Sequence, residues 1–199
     1  MSKQTIETFF AGKNLVIPDY QRDYAWKQRN IDELFSDIEE ALEVGSHYLG
    51  TFILSQTSQG KPVYVVDGQQ RLTSLLLVLR HFNERAAKKY QQPVYSIEYA
   101  TRPDLLGFLE DPSEERAKRN IDFFHIAQAM KVIETWFGER ESEVEAIKDT
   151  FLNKVKVIWF ELSTGESPVA AFTRLNVGKI PLTNAELIRA LFLRNASGE

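Results

Sequence analysis

The chain has 199 residues, 43% of them hydrophobic and 26% charged, an ordinary balance for a globular protein with one large core. A net charge of −4 gives no overall attraction to nucleic acid, and the absence of cysteine excludes disulfides, zinc–thiolate centres and cysteine nucleophiles. No apolar stretch reaches membrane-spanning length and the N-terminus lacks the basic-then-apolar pattern of a secretion signal, so the sequence reads as cytoplasmic.

Residues Thr5 to Phe10 read as a short helix, and Asn14-Leu15-Val16-Ile17 as a strand ended by Pro18. The segment from Pro18 to Trp26 has no period and crowds Tyr20, Tyr24 and Trp26 around Gln21, Arg22 and Asp23. Either it lines a site, as loops held by a scaffold do, or its aromatics pack on the core while Gln21 and Arg22 face water. A helix is expected from Asn30, where Asn30 and Glu33 have capping-box spacing. Ile31, Leu34, Phe35, Ile38 and Leu42 form its apolar face and Gly45 its stop. Asp32, Glu33, Asp37, Glu39 and Glu40 lie mostly off that face and read as solvated surface. Tyr48 to Leu54 and Val63 to Val66 read as two strands of a hairpin joined by a polar turn from Ser55 to Pro62.

The second hairpin strand delivers Asp67-Gly68-Gln69-Gln70-Arg71. Leu72, Leu75, Leu76 and Leu79 then repeat at helical spacing, so these five residues occupy a strand-to-helix turn. A helix N-terminus presents unpaired N–H groups and partial positive charge, which suit an anion. Gly68 lets the backbone approach a ligand, Arg71 can fork onto a phosphate, and Asp67 can hold a metal or a sugar hydroxyl. The alternative is structural: Gly68 makes the turn, Asp67 caps the helix and Arg71 is solvated.

The helix is apolar nearly all round from Leu75 to Leu79, which predicts burial between layers, and it should end near Tyr90. Val94 to Tyr99 reads as a strand, and the charged run from Asp111 to Asn120 as a mobile surface loop. Helical patterns follow from Asn120 to Phe137 and from Ser142 to about Leu152, then a β-rich run from Val155 to Leu162 that should rejoin the sheet. Val169 to Leu175 reads as a short helix, Val177 to Pro181 as a loop, and Thr183 with Glu186 as a capping box opening a last helix. His47, His81 and His125 are too scattered for metal-ligand spacing on one helix and read as structural.

Three pieces stand together: Ile17 to Trp26, Asp67 to Thr73, and Phe172-Thr173-Arg174-Leu175-Asn176 leading to Leu182 to Ile188. In this order and spacing the chain resembles the N-terminal domain family of GmrSD-type restriction proteins, the "DGQQR" family of bacterial and archaeal defence. The resemblance implies an α+β fold with a small mixed sheet of ParB/sulfiredoxin-like type. Residues 1–100 would form the nucleotide-binding core, and residues 101–199 a mainly helical extension that packs on it and returns a strand and the third motif. It also implies a nucleoside triphosphate with Mg²⁺ as cofactors, held by Gly68, Gln69, Gln70, Arg71, Thr73, Arg174 and Asn176, with Asp67 as the metal residue. Asp67, Arg71, Gln21 and Arg22 would carry hydrolysis: Arg22 steadies developing charge and a glutamine places water.

The expected role is an NTP-binding and hydrolysing module of a DNA restriction system, partnered by a nuclease domain or subunit. The alternative is a DNA-sensing module whose Tyr20, Tyr24 and Trp26 stack on a base. Many relatives continue into a histidine-dependent nuclease domain. No histidine follows His125, so DNA cleavage by that route is not expected. Relatives often carry a small hydroxyl residue after the Asn of the third motif, where Val177 stands here.

Overall fold

The computed structural model describes residues 2–10, 13–56, 62–92, 94–162 and 166–176. Its elements in chain order are β1 (Ser2–Thr5), α1 (Ile6–Phe10), β2 (Asn14–Ile17), α2 (Gln28–Val44), β3 (His47–Ser55), β4 (Val63–Asp67), α3 (Gln69–Arg85), β5 (Ser96–Tyr99), α4 (Leu105–Glu110), α5 (Glu114–Arg119), α6 (Ile121–Gly138), α7 (Val144–Asn153), β6 (Val155–Glu161) and α8 (Pro168–Asn176). The expected last helix, opened by Thr183 and Glu186, and the Val177 to Pro181 loop lie outside the described residues.

The fold is α+β around one mixed six-stranded sheet, in the order β1-β6-β3-β4-β2-β5. β3 and β4 pair antiparallel as the expected hairpin, with Ile53 opposite Asp67. β2 runs parallel to both β4 and β5, with Leu15 beside Val63 on one side and Ile97 on the other. β6 lies between β1 and β3, so the second half of the chain is built into the sheet of the first.

Alternation along β4 divides the core. Val63 and Val65 face the large cluster under α2, α3, α6 and α7, while Val66 faces a smaller one with Tyr20, Ile53, Ala171 and Phe172. The helical layer interlocks through aromatic rings. Phe35 of α2 stacks on Trp136 of α6 at 4.1 Å, and Phe82 of α3 meets Phe137 edge-on at 5.1 Å. Each of the buried rings of Phe35, Phe82 and Phe137 contributes roughly 1.5–3 kcal/mol. The eight residues from Leu72 to Leu79 are all buried, as a helix apolar on every side should be between two layers.

Three expectations are corrected. The helix α2 begins at Gln28, and Asn30 is not its cap; its Oδ1 accepts from the Lys27 N–H at 3.1 Å from inside the first turn. Helix α3 ends at Arg85, where Ala86 turns extended, and Lys88–Tyr90 form a separate 3₁₀ turn. The run from Asp111 to Asn120 is no loop over its length: Ser113 Oγ caps α5 by accepting from the Arg116 N–H. Acidic Glu114 and Glu115 at its start and basic residues at its end match the helix dipole. Beyond these expectations, the N-terminal residues pair with β6 as β1, a strand too short to show a period.

Candidate functional site

The three parallel strands β2, β4 and β5 all end at one edge of the sheet, and each releases a polar segment there. β2 releases the loop from Pro18 to Lys27, β4 releases Asp67 and Gly68, and β5 releases Tyr99 to Arg102. Parallel pairing therefore joins motifs that lie about fifty residues apart in sequence.

Gly68 is the N-cap of α3, with φ 99° and no side chain to occupy the first-turn amides. A β-carbon there would stand 3.0 Å from Phe52 Cε1 and closer still to Cδ1. The turn thus requires glycine for its backbone angle and for the ring packed beneath it. The first intrahelical bond is Leu72 N–H to Gly68 O at 2.9 Å, which leaves the amides of Gln69, Gln70 and Arg71 without i−4 partners.

Arg71 extends from this turn over β3. Because Ile53 pairs with Asp67, the half of β3 before Ile53 runs on past the end of β4 as a shelf. Gly50 lies on that shelf with φ +123°, and a β-carbon there would be 2.8 Å from Arg71 Nη1. The guanidinium lies 5.8 Å from the centre of the Phe52 ring and makes no hydrogen bond or ion pair among the described residues. Burial holds its pKa below the ordinary arginine value, and the carboxylates of Asp67 and Asp37 pull the other way. Asp37, on α2, has its own pKa raised by burial, opposed by His47 and Arg71. His47 stands 3.5 Å from Asp37 and 3.4 Å from Glu40.

The two glutamines turn inward. Gln69 accepts from the Tyr99 hydroxyl at 3.0 Å and donates to Arg22 O at 3.0 Å. Gln70 accepts from the Ala25 N–H at 2.9 Å and donates to Asp23 O at 2.8 Å. Gln21 is also buried and donates to Val65 O of β4. Thr73 is fully buried, its hydroxyl taken up by Gln69 O and the Tyr99 hydroxyl. Arg22 has an exposed side chain on the loop that these bonds hold.

Tyr20 and Tyr24 lie in the core, the latter with its hydroxyl 2.8 Å from Ser74 Oγ, so neither ring presents a face to solvent for stacking. Trp26 is partly buried against the main cluster. Asp23 is fixed from outside by Arg102 at 3.1 Å, and Arg102 Nε donates to Asp122 at the start of α6. The helix α8 crosses β4 and sets Phe172 against Tyr20, ring centres 5.2 Å apart. That contact brings the third motif to the first. The backbone of α8 carries Arg174 and Asn176, whose side chains lie outside the described residues.

Asp37, Gly50, Phe52 and Tyr99 join this region without any local signal in the sequence. Asp37 was hidden among the acidic positions of α2, and the other three read as plain strand residues. Among the described residues no group of three or more His, Cys, Asp or Glu side chains can hold a metal. No described helix is long and apolar enough to cross a membrane.

A family model described as the GmrSD restriction endonuclease, N-terminal domain, matches residues 6–193. An uncharacterized protein of Methanocaldococcus jannaschii is 23% identical over 185 residues, a match covering 74% of this chain and 28% of that protein. The chain thus spans little more than a quarter of that relative's length.

Proposed function

The chain belongs to the N-terminal domain family of GmrSD restriction endonucleases, modules of restriction and defence systems, and from that premise we propose that it binds and hydrolyses a nucleoside triphosphate with Mg²⁺. The observation that carries this reading is Arg71: a half-buried guanidinium, without a hydrogen-bonding partner among the described residues, beside the uncapped N-terminus of α3 and above the shelf opened by Gly50. A positive group placed so, next to free N–H donors, fits phosphate oxygens. The phosphate cradle expected of a ParB- or sulfiredoxin-like turn belongs to the same proposal.

The donor set also suits Mg²⁺ better than a protein-caged metal. Mg²⁺ commonly takes one or two carboxylates and draws its remaining ligands from phosphates and water. Asp67, with Asp37 behind Arg71, fits that pattern. A bound Mg²⁺–nucleotide would supply the phosphoanhydride to be cleaved. The chain's own residues would do the rest: Arg71 and the first-turn amides hold phosphate, Asp67 faces the metal, and Arg22 steadies charge that develops on transfer. Coupling to a nuclease domain or subunit acting on DNA is the expected use of the turnover.

The alternative, a DNA sensor that stacks bases on the first-motif aromatics, loses its platform with Tyr20 and Tyr24 buried. The deciding experiment is a thermal-shift series with ATP, GTP, CTP and UTP, each with Mg²⁺. One of them should raise the melting temperature, because a ligand that binds only the folded state stabilises it. No shift from any of the four at about 1 mM, which corresponds to a weak site of about −4 kcal/mol, would refute the reading.

A further inference from the structure

We propose that Gln69 and Gln70 act as a paired clasp that positions the Arg22 loop across the N-terminus of α3, and not as contacts to nucleotide or water. The inference deepens the nucleotide reading and rests on it for the role of Arg22. Both side chains are nearly inaccessible, at 4% and 7% exposure. In each, the oxygen and the nitrogen are both already engaged. Gln69 joins the Tyr99 hydroxyl to Arg22 O, and Gln70 joins the Ala25 N–H to Asp23 O. A carboxamide so enclosed offers little to a ligand.

The loop needs these bonds. Residues 22–27 have no strand pairing to take up their partly buried backbone groups. The two glutamines supply partners for three backbone groups within four residues. They belong to consecutive residues of one helical turn yet reach different loop groups, because their side chains leave the helix about 100° apart. Tyr24 is tied to Ser74 one turn further along the same helix, and Arg102 holds Asp23 from the other side. The loop and the start of α3 therefore form one rigid unit. Arg22, pinned through its own carbonyl, keeps a fixed relation to Arg71 two residues beyond Gln69.

The clasp separates from a ligand-contact role by how its loss combines with the loss of Arg22. Gln70→Met retains length and apolar packing but removes both bonds. It should speed amide hydrogen exchange at Ala25 about fivefold or more, the consequence of losing one net hydrogen bond. It should lower turnover of the stabilising Mg²⁺–nucleotide, identified among ATP, GTP, CTP and UTP, by the same factor as Arg22→Ala. The double variant should be no slower than either single one, since both remove one contribution. Unchanged exchange at Ala25, or additive losses in the double variant, would overturn the proposal.

Should Gln70→Met not fold, Tyr99→Phe loosens the clasp from thirty residues away, and its loss of turnover should likewise vanish in the Arg22→Ala background. An additive loss there overturns the proposal equally. A wild-type chain that binds none of the four nucleotides defeats the nucleotide reading and Arg22's role with it. The exchange rate at Ala25 then decides the clasp on its own.

Discussion

Gly68→Ala tests the central turn most directly, since it adds one methyl group at a position where two independent costs meet. The backbone there has φ 99°, a left-handed conformation that costs an L-residue with a β-carbon roughly 1–2 kcal/mol. The new carbon would also lie 3.0 Å from Phe52 Cε1, and Phe52 is wholly buried in the main cluster, so the ring cannot swing into solvent. Overpacking of this kind costs roughly 1–3 kcal/mol. The sum is about 2–5 kcal/mol. In a chain of this length each kcal/mol lowers the midpoint by roughly 2–4 °C, so the melting temperature should fall by about 4–20 °C. Calorimetry of wild type and variant, with Phe52→Leu as a second background, separates the contributions. Leucine should relieve the clash but not the backbone strain, and recover part of the loss. A Gly68→Ala protein melting within about 2 °C of wild type would mean that the turn does not need glycine, and the argument for a close-approach backbone at this point would fail.

Four further outcomes are expected. Gly50→Ala should cost little stability beyond its backbone strain of about 1–3 kcal/mol, because its neighbour is the movable end of Arg71, but nucleotide affinity should drop as Arg71 is displaced; unchanged affinity in a titration would count against the shelf. Arg71→Ala should weaken phosphate binding about tenfold or more at near-normal melting temperature, from the loss of a charge-assisted hydrogen bond, and normal binding would show Arg71 to be a bystander. Asp67→Asn should lower phosphate release far more than affinity and respond to added Mg²⁺; equal turnover across a Mg²⁺ titration would remove Asp67 from the chemistry. His81 is buried against Phe137 beside Arg85, which lowers its pKa from 6.5 to about 4. The unfolded chain therefore binds a proton that the folded one refuses, so stability is full above pH 6.5 and declines as pH falls towards 4. His81→Phe should flatten that part of the melting-temperature profile, and an unchanged slope would assign the decline to other groups.

Features specified by neighbours in sequence were legible before the structure. The turn at Gly68 follows from a β-branched run meeting a leucine repeat, α6 from its helical period and β6 from its β-rich run. The helical pattern was also read from Asn120, whose Oδ1 the structure shows capping α6 by accepting from the Asp122 and Phe123 N–H groups. What could not be read depends on strand order. Gly50 is needed only because β3 outruns β4 under Arg71. Asp37 matters only because α2 crosses close to that shelf. The resemblance set both glutamines in the nucleotide site; their burial depends on Tyr99 arriving on β5, two strands from β4. The aromatics of the first motif packed inward, the outcome that the sequence had left open.

The insertion of β6 between β1 and β3 also sets a schedule for how the chain acquires its fold. The strand β3, with Phe52 and Leu54 fully buried in the finished molecule, gains its second neighbour only when residues 155–161 are available, about a hundred residues later. During synthesis at roughly 5–20 residues per second, that leaves an interval of about 5–20 s in which one edge of a long, apolar strand is open. Open edges of this kind template pairing with other chains. Slow translation of the stretch encoding α4 to α7 would lengthen the interval. The protein should be most vulnerable to aggregation while emerging from the ribosome, and much less so once β6 has docked.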